Sequence, residues 1–183
     1  MYSTMRKTID IGSKSPYPSN VLSNFYPHKF VFDGVECASM EGLLQAFKAY
    51  RPDEAARLCS LVGYEAKKAG RHINWQSTQT LWWKGVAYRR ESEGYRRLCV
   101  TAYTAMMAQC PEWCKALLAT GDADLLHSMG RVDPKQTILT AEEFCSLLTG
   151  LRGVLGDSVA MEVVKRTLQE PEWVIDTTVP VFP

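Results

Sequence analysis

The chain has 183 residues, 46% hydrophobic and 22% charged, which suffices for one compact domain with a real core and makes two unlike the composition. Its 21 basic and 20 acidic side chains leave a formal charge of +1, so the overall electrostatics select neither nucleic acid nor an anionic membrane, and such a contact needs a local patch. No run approaches the roughly 20 apolar residues of a membrane span, and the opening MYSTMRKTIDIGSKS lacks the apolar core of a signal peptide, which predicts a cytoplasmic protein without a membrane partner.

The first local signal is KFVFDGVEC, residues 29–37. Asp33-Gly34 between two apolar-containing runs predicts a hairpin, because a two-residue turn needs positive φ at both central positions. ASMEGLLQAFKAY, residues 38–50, then reads as one helix whose only charges are Glu41 and Lys48. At about 100° per residue, Glu41, Gln45 and Lys48 form one polar stripe. Met40, Leu43, Leu44 and Phe47 make an apolar face, and Gly42, Ala46 and Ala49 leave the remaining side small. One reading makes the stripe the water-facing edge of an amphipathic helix. The other buries the helix on most sides and turns the stripe toward a cavity, where a carboxylate, an amide and an ammonium must meet each other or a ligand.

Pro52 begins a further helix, and GYEAKKAG ends a short one at Gly70. The pattern predicts longer helices over 76–90 and 93–109, and Pro111 stands near the first turn of the next. Thr140 and Glu143 form a capping box ahead of Phe144, Leu147, Leu148, Leu151 and Leu155 at helical spacing. A last helix starts at Asp157, and PEWVIDTTVPVFP reads as an extended tail. The expected fold is α+β and mostly α-helical: a single domain over 1–183, with a small N-terminal β-hairpin or sheet wrapped by about seven helices.

Six cysteines lie along the chain without a CxxC pair, beside only three histidines. These spacings encode neither a zinc site nor a disulfide framework, so no metal and no cofactor is expected, and the cysteines read as small apolar residues. Cys110 and Cys114 stand one helical turn apart. Phosphate-loop, dinucleotide and HExxH motifs do not occur. In LWWKGVAYRRESEGYRR, Trp82, Trp83, Lys84, Arg89, Arg90, Arg96 and Arg97 interleave aromatic with basic side chains. A nucleic-acid surface needs that mixture, although core packing with a solvated face explains it as well, since adjacent tryptophans cannot share one helix face.

VLSNFYP followed by FVFDGVECASMEGLLQAFKA resembles the opening signature of the NADAR family, the YbiA-like proteins. The elements are Ser23-Asn24-Phe25, Asp33-Gly34, Ser39, Glu41, Gln45-Ala46 and Lys48, in the family's order. LLATGDADLLHSMGRVDP and the segment ending in LTGLR look like its later segments, so the resemblance covers 21–152 and leaves 157–183 as a C-terminal helix and tail. It implies a compact, mostly helical domain that cleaves an N-glycosidic bond to ribose. The implied substrates are a ribosylamino-pyrimidine phosphate or ADP-ribosylated guanine, free or within nucleic acid. By the same resemblance Glu41, Lys48 and Asp133 are catalytic candidates, and Asn24, Phe25, Gln45 and His127 are substrate-binding candidates.

The residue types suit that chemistry. Breaking the bond builds positive charge at the anomeric carbon while the base leaves with electrons that need a proton. Glu41 can stabilise the cation or activate water. Lys48 can anchor a phosphate or hydroxyl, or attack the opened sugar as an amine if burial lowers its pKa. Asn24 carries a donor and an acceptor to orient a hydroxyl. The second half departs from the family pattern. His127 stands nearest a position where many members have glutamate, Asp133 is followed by Pro134-Lys135 instead of leading to Trp-Gly, and the glycine-rich loop is missing. A histidine there can serve as acid or base at neutral pH, and an aspartate before proline can simply start a turn. A catalytically lapsed module that still binds ADP-ribose or a related nucleotide is therefore the second expectation, and a nucleic-acid-binding protein the third.

Overall fold

The Asp-Gly signal forms the hairpin it predicts. In the computed structural model, which describes residues 6–169, β2 (Phe30–Phe32) and β3 (Val35–Cys37) pair antiparallel with Phe30 opposite Cys37. Asp33 and Gly34 take φ of 47° and 77°, the twist that matches the flanking strands. Phe30 and Phe32 point into the core and Val31 points out. Ahead of this hairpin come β1 (Thr8–Asp10) and the short α1 (Ser19–Leu22).

The helix predicted over 38–50 is shorter: α2 runs Met40–Ala46, capped by Ser39, whose hydroxyl accepts from the Gly42 N–H at 3.1 Å. Beyond Ala46 the amides of Lys48 and Ala49 bond back to Gln45 and Ala46, three residues earlier, so the chain tightens before it leaves toward Pro52. All seven residues of α2 are buried. One reason is the small side seen in the sequence: a Cβ on Gly42 would lie 2.6 Å from the Leu61 carbonyl oxygen and 2.8 Å from that of Leu58. The helix is thus clasped by the end of α3 (Pro52–Cys59) and by α4 (Gly63–Ala69), which Gly70 terminates as predicted.

The predicted helix over 76–90 is not one. Residues Thr80–Trp83 (β4) and Val86–Arg89 (β5) form a second antiparallel hairpin, with Trp83 opposite Val86. Its two-residue turn is Lys84-Gly85, with φ of 47° and 80°. The lysine in the position usually filled by Asn or Asp hid the turn, and the apolar run LWWKGVAY fits a helical period nearly as well as an alternating one. Adjacent tryptophans on opposite strand faces resolve the packing difficulty: Trp83 is buried and Trp82 is half-exposed.

The rest follows the pattern. α5 (Glu93–Gln109), α6 (Pro111–Ala119), α7 (Ala141–Leu155) and α8 (Ser158–Gln169) match their signals, and both halves of the Thr140 and Glu143 capping box are made. The tail expected over 171–183 lies outside the described residues. β6 (Asp124–Leu126) pairs in parallel with β1, so the described strands make three separate two-stranded sheets among eight helices in an α+β domain. The core is one cluster. Its aromatic centre stacks Trp83 against Phe32 and Phe47 at centroid distances of 5.1 and 5.6 Å, with Tyr95 edge-on to Phe47 at 6.3 Å. The six cysteines are free, and the thiols of Cys110 and Cys114 each donate to a backbone carbonyl, Lys29 and Met107 respectively. Among the described residues no helix is long and apolar enough to cross a membrane.

Candidate active site

A cavity of about 270 Å³ opens between α2, the end of α4, and the long connection from β6 to α7. Glu41, Gln45 and Lys48 all line it, and Asn24 joins them from the other side of the α2 N-terminus. The volume sits near the lower end for a small-molecule site, on the scale of a sugar with one substituent.

Glu41 is 8% exposed and Gln45 4%. The Gln45 Nε2 donates to Glu41 Oε1 at 2.9 Å, which joins the two polar members of the helix one turn apart. Burial pushes the Glu41 carboxyl up from the usual range, while the Gln45 hydrogen bond and the charges of Lys67, Lys48 and His127 pull it down. Lys48 moves the opposite way. Desolvation lowers its ammonium to about 8, against the pull of Glu41 and with help from the positive Lys67, Arg131 and Arg71.

Asn24 is oriented from the core: its Oδ1 accepts the Tyr103 hydroxyl at 2.7 Å, and its backbone carbonyl accepts the Glu41 N–H at 3.0 Å. The group left for a ligand is therefore the Nδ2 donor. His127 is fixed on the facing wall, with Nδ1 2.7 Å from the Ile11 carbonyl oxygen and the ring edge-on to Phe144 at 5.2 Å. A carbonyl only accepts, so Nδ1 carries a proton and Nε2 is the nitrogen free to exchange one. Gly130 beside it has no room for a side chain, since a Cβ would lie 2.5 Å from the imidazole Cδ2.

The connection carrying His127 is held by distant residues. Asp10 accepts both the amide, at 2.9 Å, and the hydroxyl of Ser128. Arg90, 2% exposed, donates through Nε to the Thr137 carbonyl at 2.8 Å and grips the Glu143 carboxylate with both terminal nitrogens at 3.0 and 2.6 Å. The Tyr95 hydroxyl donates to the Ile138 carbonyl at 2.7 Å.

Two expected residues stand outside the lining. Asp133 is exposed, and its Oδ1 accepts the Lys135 N–H at 2.9 Å in a local turn of the kind an Asp-Pro pair initiates. Phe25 supports the rim indirectly, its ring lying 5.6 Å beneath the Lys67 ammonium. Of the interleaved aromatic and basic stretch, Trp83 and Arg90 are buried, Lys84 pairs with Asp33, and Arg96 and Arg97 pair with Glu93. Sequence reasoning missed Lys67, Arg71, Trp75 and Arg131, all of which line the cavity. Lys67 and Arg71 lie one turn apart at the end of α4, where basic residues ordinarily complement a helix dipole, so nothing local marked them. Lys48, Lys67, Arg71 and Arg131 thus put four cations in the cavity that holds the buried Glu41 carboxylate, and among the described residues none of the four makes an ion pair. Among the described residues no group of three or more His, Cys, Asp or Glu is placed to hold a metal ion.

Comparison with known proteins bears on the fold and the family. The solution structure of the E. coli protein YbiA superposes with a TM-score of 0.56 at 18% identity, covering 85% of this chain and 88% of that one, a likeness of fold. An uncharacterized 17.1 kDa protein from the Gp30-rIII intergenic region of Enterobacteria phage T4 is 35% identical over 149 residues, which is 80% of this chain and 98% of that protein. Residues 16–153 match the family described as bacteriophage protein GP30.3. The chain belongs to that bacteriophage family, a NADAR domain on the YbiA-like fold.

Proposed function

We propose that the chain is an N-glycosidase that hydrolyses the bond between ribose and a base nitrogen in a ribosyl or ADP-ribosyl nucleotide compound. ADP-ribosylated guanine and a ribosylamino-pyrimidine phosphate are the substrates the family resemblance brings forward. The observation that carries the reading is one buried carboxylate, Glu41, in a cavity that four cations also line, two of which, Lys67 and Lys48, act directly on its charge. Lys67, Arg71 and Arg131 suit a phosphate-bearing ligand, and the Asn24 amide suits a sugar hydroxyl. The C–N bond breaks and the base nitrogen keeps the electron pair. Glu41, as carboxylate, stabilises the positive anomeric carbon and takes the proton of the water whose oxygen bonds there. The departing nitrogen needs a proton from another group: the Lys48 ammonium is one source, and the His127 ring, when it carries a proton on Nε2 as well as on Nδ1, is the other. Burial lowers the Lys48 ammonium to about 8, which leaves it mostly charged at neutral pH, the form an anchor for phosphate or hydroxyl needs.

Incubation of the chain with N-ribosides and ADP-ribosylated guanosine, followed by mass spectrometry, tests the reading. Free base and a sugar product are expected. Borohydride added during turnover leaves the protein unlabelled if Lys48 is an anchor, and a ribose adduct on Lys48 would assign it the nucleophilic role. The second reading, a module that binds such nucleotides without turnover, is favoured by one observation: Asp133 lies outside the lining, so among the described residues Glu41 is the single carboxylate there, where glycosidases commonly use two. Tight binding with no base released would establish it.

A further inference from the structure

Gln45 lines the cavity yet offers it little. Its Nε2 is bonded to Glu41, and its Oε1 is buried with no hydrogen-bond partner. That oxygen rests against Gly70, where a Cβ would lie 2.1 Å from Oε1 and 3.0 Å from both Cβ and Cδ of Gln45. Gly70 has φ −84° and ψ −2°, a conformation open to any residue, so its missing side chain serves space and not backbone freedom. Turning the amide over would set its oxygen against the carboxylate and press two N–H donors onto the Gly70 Cα. A carbonyl touching a C–H is the smaller loss, since it retains a weak contact where the donors would retain none. The carboxylate therefore selects the amide orientation with N–H toward Glu41, and Gly70 leaves the room that this orientation needs.

We propose that Gln45, seated on Gly70, is a positioning residue that holds Glu41 as a carboxylate in the cavity. The inference rests on the reading of Glu41 as the group that acts on the sugar. Several charged or titratable groups face Glu41: Lys48 from the turn after α2, Lys67 from α4, His127 from the connection to α7 and Tyr103 from α5. Among the described residues none of these cations pairs with it within contact distance, and the direct bond is the Gln45 amide. Burial drives the carboxyl toward its neutral form, and the Gln45 bond is the largest influence the other way, ahead of Lys67 and Lys48. A neutral Glu41 could neither stabilise a cation nor accept a proton, so the acid side of the pH profile becomes a property of Gln45.

The decisive measurement is the titration of the Glu41 carboxyl by carbon NMR in the full chain, which needs no substrate. Gln45→Met keeps the length and removes the donor, and should raise the Glu41 midpoint by about one to two pH units, the worth of a hydrogen bond to a charged group. The acid limb of base release should move by the same interval. Gly70→Ala, which displaces the amide, should shift the titration in the same direction and provides the readout if Gln45→Met does not fold. An unchanged Glu41 midpoint in either folded variant, or a wild-type Glu41 protonated at neutral pH, would overturn the proposal. A shifted titration without base release from any substrate would leave the Gln45 role standing and remove the glycosidase reading alone.

Discussion

The two walls of the cavity are built in opposite ways. The α2 wall owes its geometry to neighbours in sequence: Ser39 caps the helix, Gln45 reaches Glu41 one turn away, and Gly42 lets the whole helix sink against α3. The facing wall, residues 127–139, is irregular, and it is placed by side chains far away in the chain, Asp10, Arg90 and Tyr95. Met129 on it is 86% exposed. A buried short helix keeps a carboxylate and an amide within a few tenths of an ångström, as proton transfer requires. A pinned surface loop can change its composition without disturbing them, which suits ligand contact, with His127 the residue on it that the proposed reaction also uses.

That contrast breaks first at Glu41. Glu41→Gln keeps the shape of the α2 wall and should lower base release by on the order of 10³-fold with ligand affinity changed only a few-fold, as for a group acting at the transition state. Equal losses of rate and affinity, by calorimetry beside the mass-spectrometric assay, would assign Glu41 to binding. The next effect belongs to the other wall. Arg90→Met leaves the Thr137 carbonyl without its donor and the Glu143 carboxylate with the Thr140 N–H alone, and should cost about 2–4 kcal/mol in urea unfolding, the lower part of that range because Glu143 is partly exposed. Turnover per folded, ligand-saturated molecule should stay close to wild type, and a collapse of that quantity would show that the loop carries chemistry.

Lys48 sharpens the comparison through pH. Its folded proton affinity is lowered to about 8 from 10.5, so between those values the unfolded chain holds the extra proton and stability rises with pH. Lys48→Met should remove that rise and add about 1–2 kcal/mol near neutral pH, discounted for its open side, while weakening ligand binding. Urea midpoints at pH 7.5 and 10 read both. The smallest effect is expected at Asp133, where Asn preserves the turn: base release should change less than about twofold and stability by under about 0.5 kcal/mol. A larger loss of activity would bring the loop carboxylate back into the reaction.

How far each wall was legible follows from the same difference. The Asp33-Gly34 turn, the Ser39 cap and the Glu41, Gln45 stripe are signals a few residues long, and a reader of the chain meets them whole. The stripe even settled its own ambiguity once the small Gly42 side proved to be a packing face. Lys84-Gly85 was a turn too, but with lysine at the positive-φ position it lacked the usual residue. The pairing of β1 with β6 spans three residues on each side and more than a hundred in between, and no local pattern encodes it. Arg71 and Arg131 enter the cavity only through such long-range placement, and Arg90 looked like one of several surface cations until its partners came from a helix fifty residues on.

The two hairpin tips meet. Trp83 Nε1 donates to Asp33 Oδ2 at 2.9 Å, and the Lys84 ammonium stands 3.3 Å from the same oxygen. Everything between them, Glu41, Lys48, Lys67 and Arg71 included, is thereby a closed circuit of about fifty residues, buckled at the tips and tied again inside by the Trp82 N–H to the Phe47 carbonyl at 2.6 Å. The entropy of closing such a ring grows only with the logarithm of its length, so the buckle can fasten after α2, α3 and α4 have already found one another. It also means that Glu41, Lys48, Lys67 and Arg71 ride on one circuit while Arg131 does not, and the amides of those three helices should share one opening free energy in hydrogen exchange.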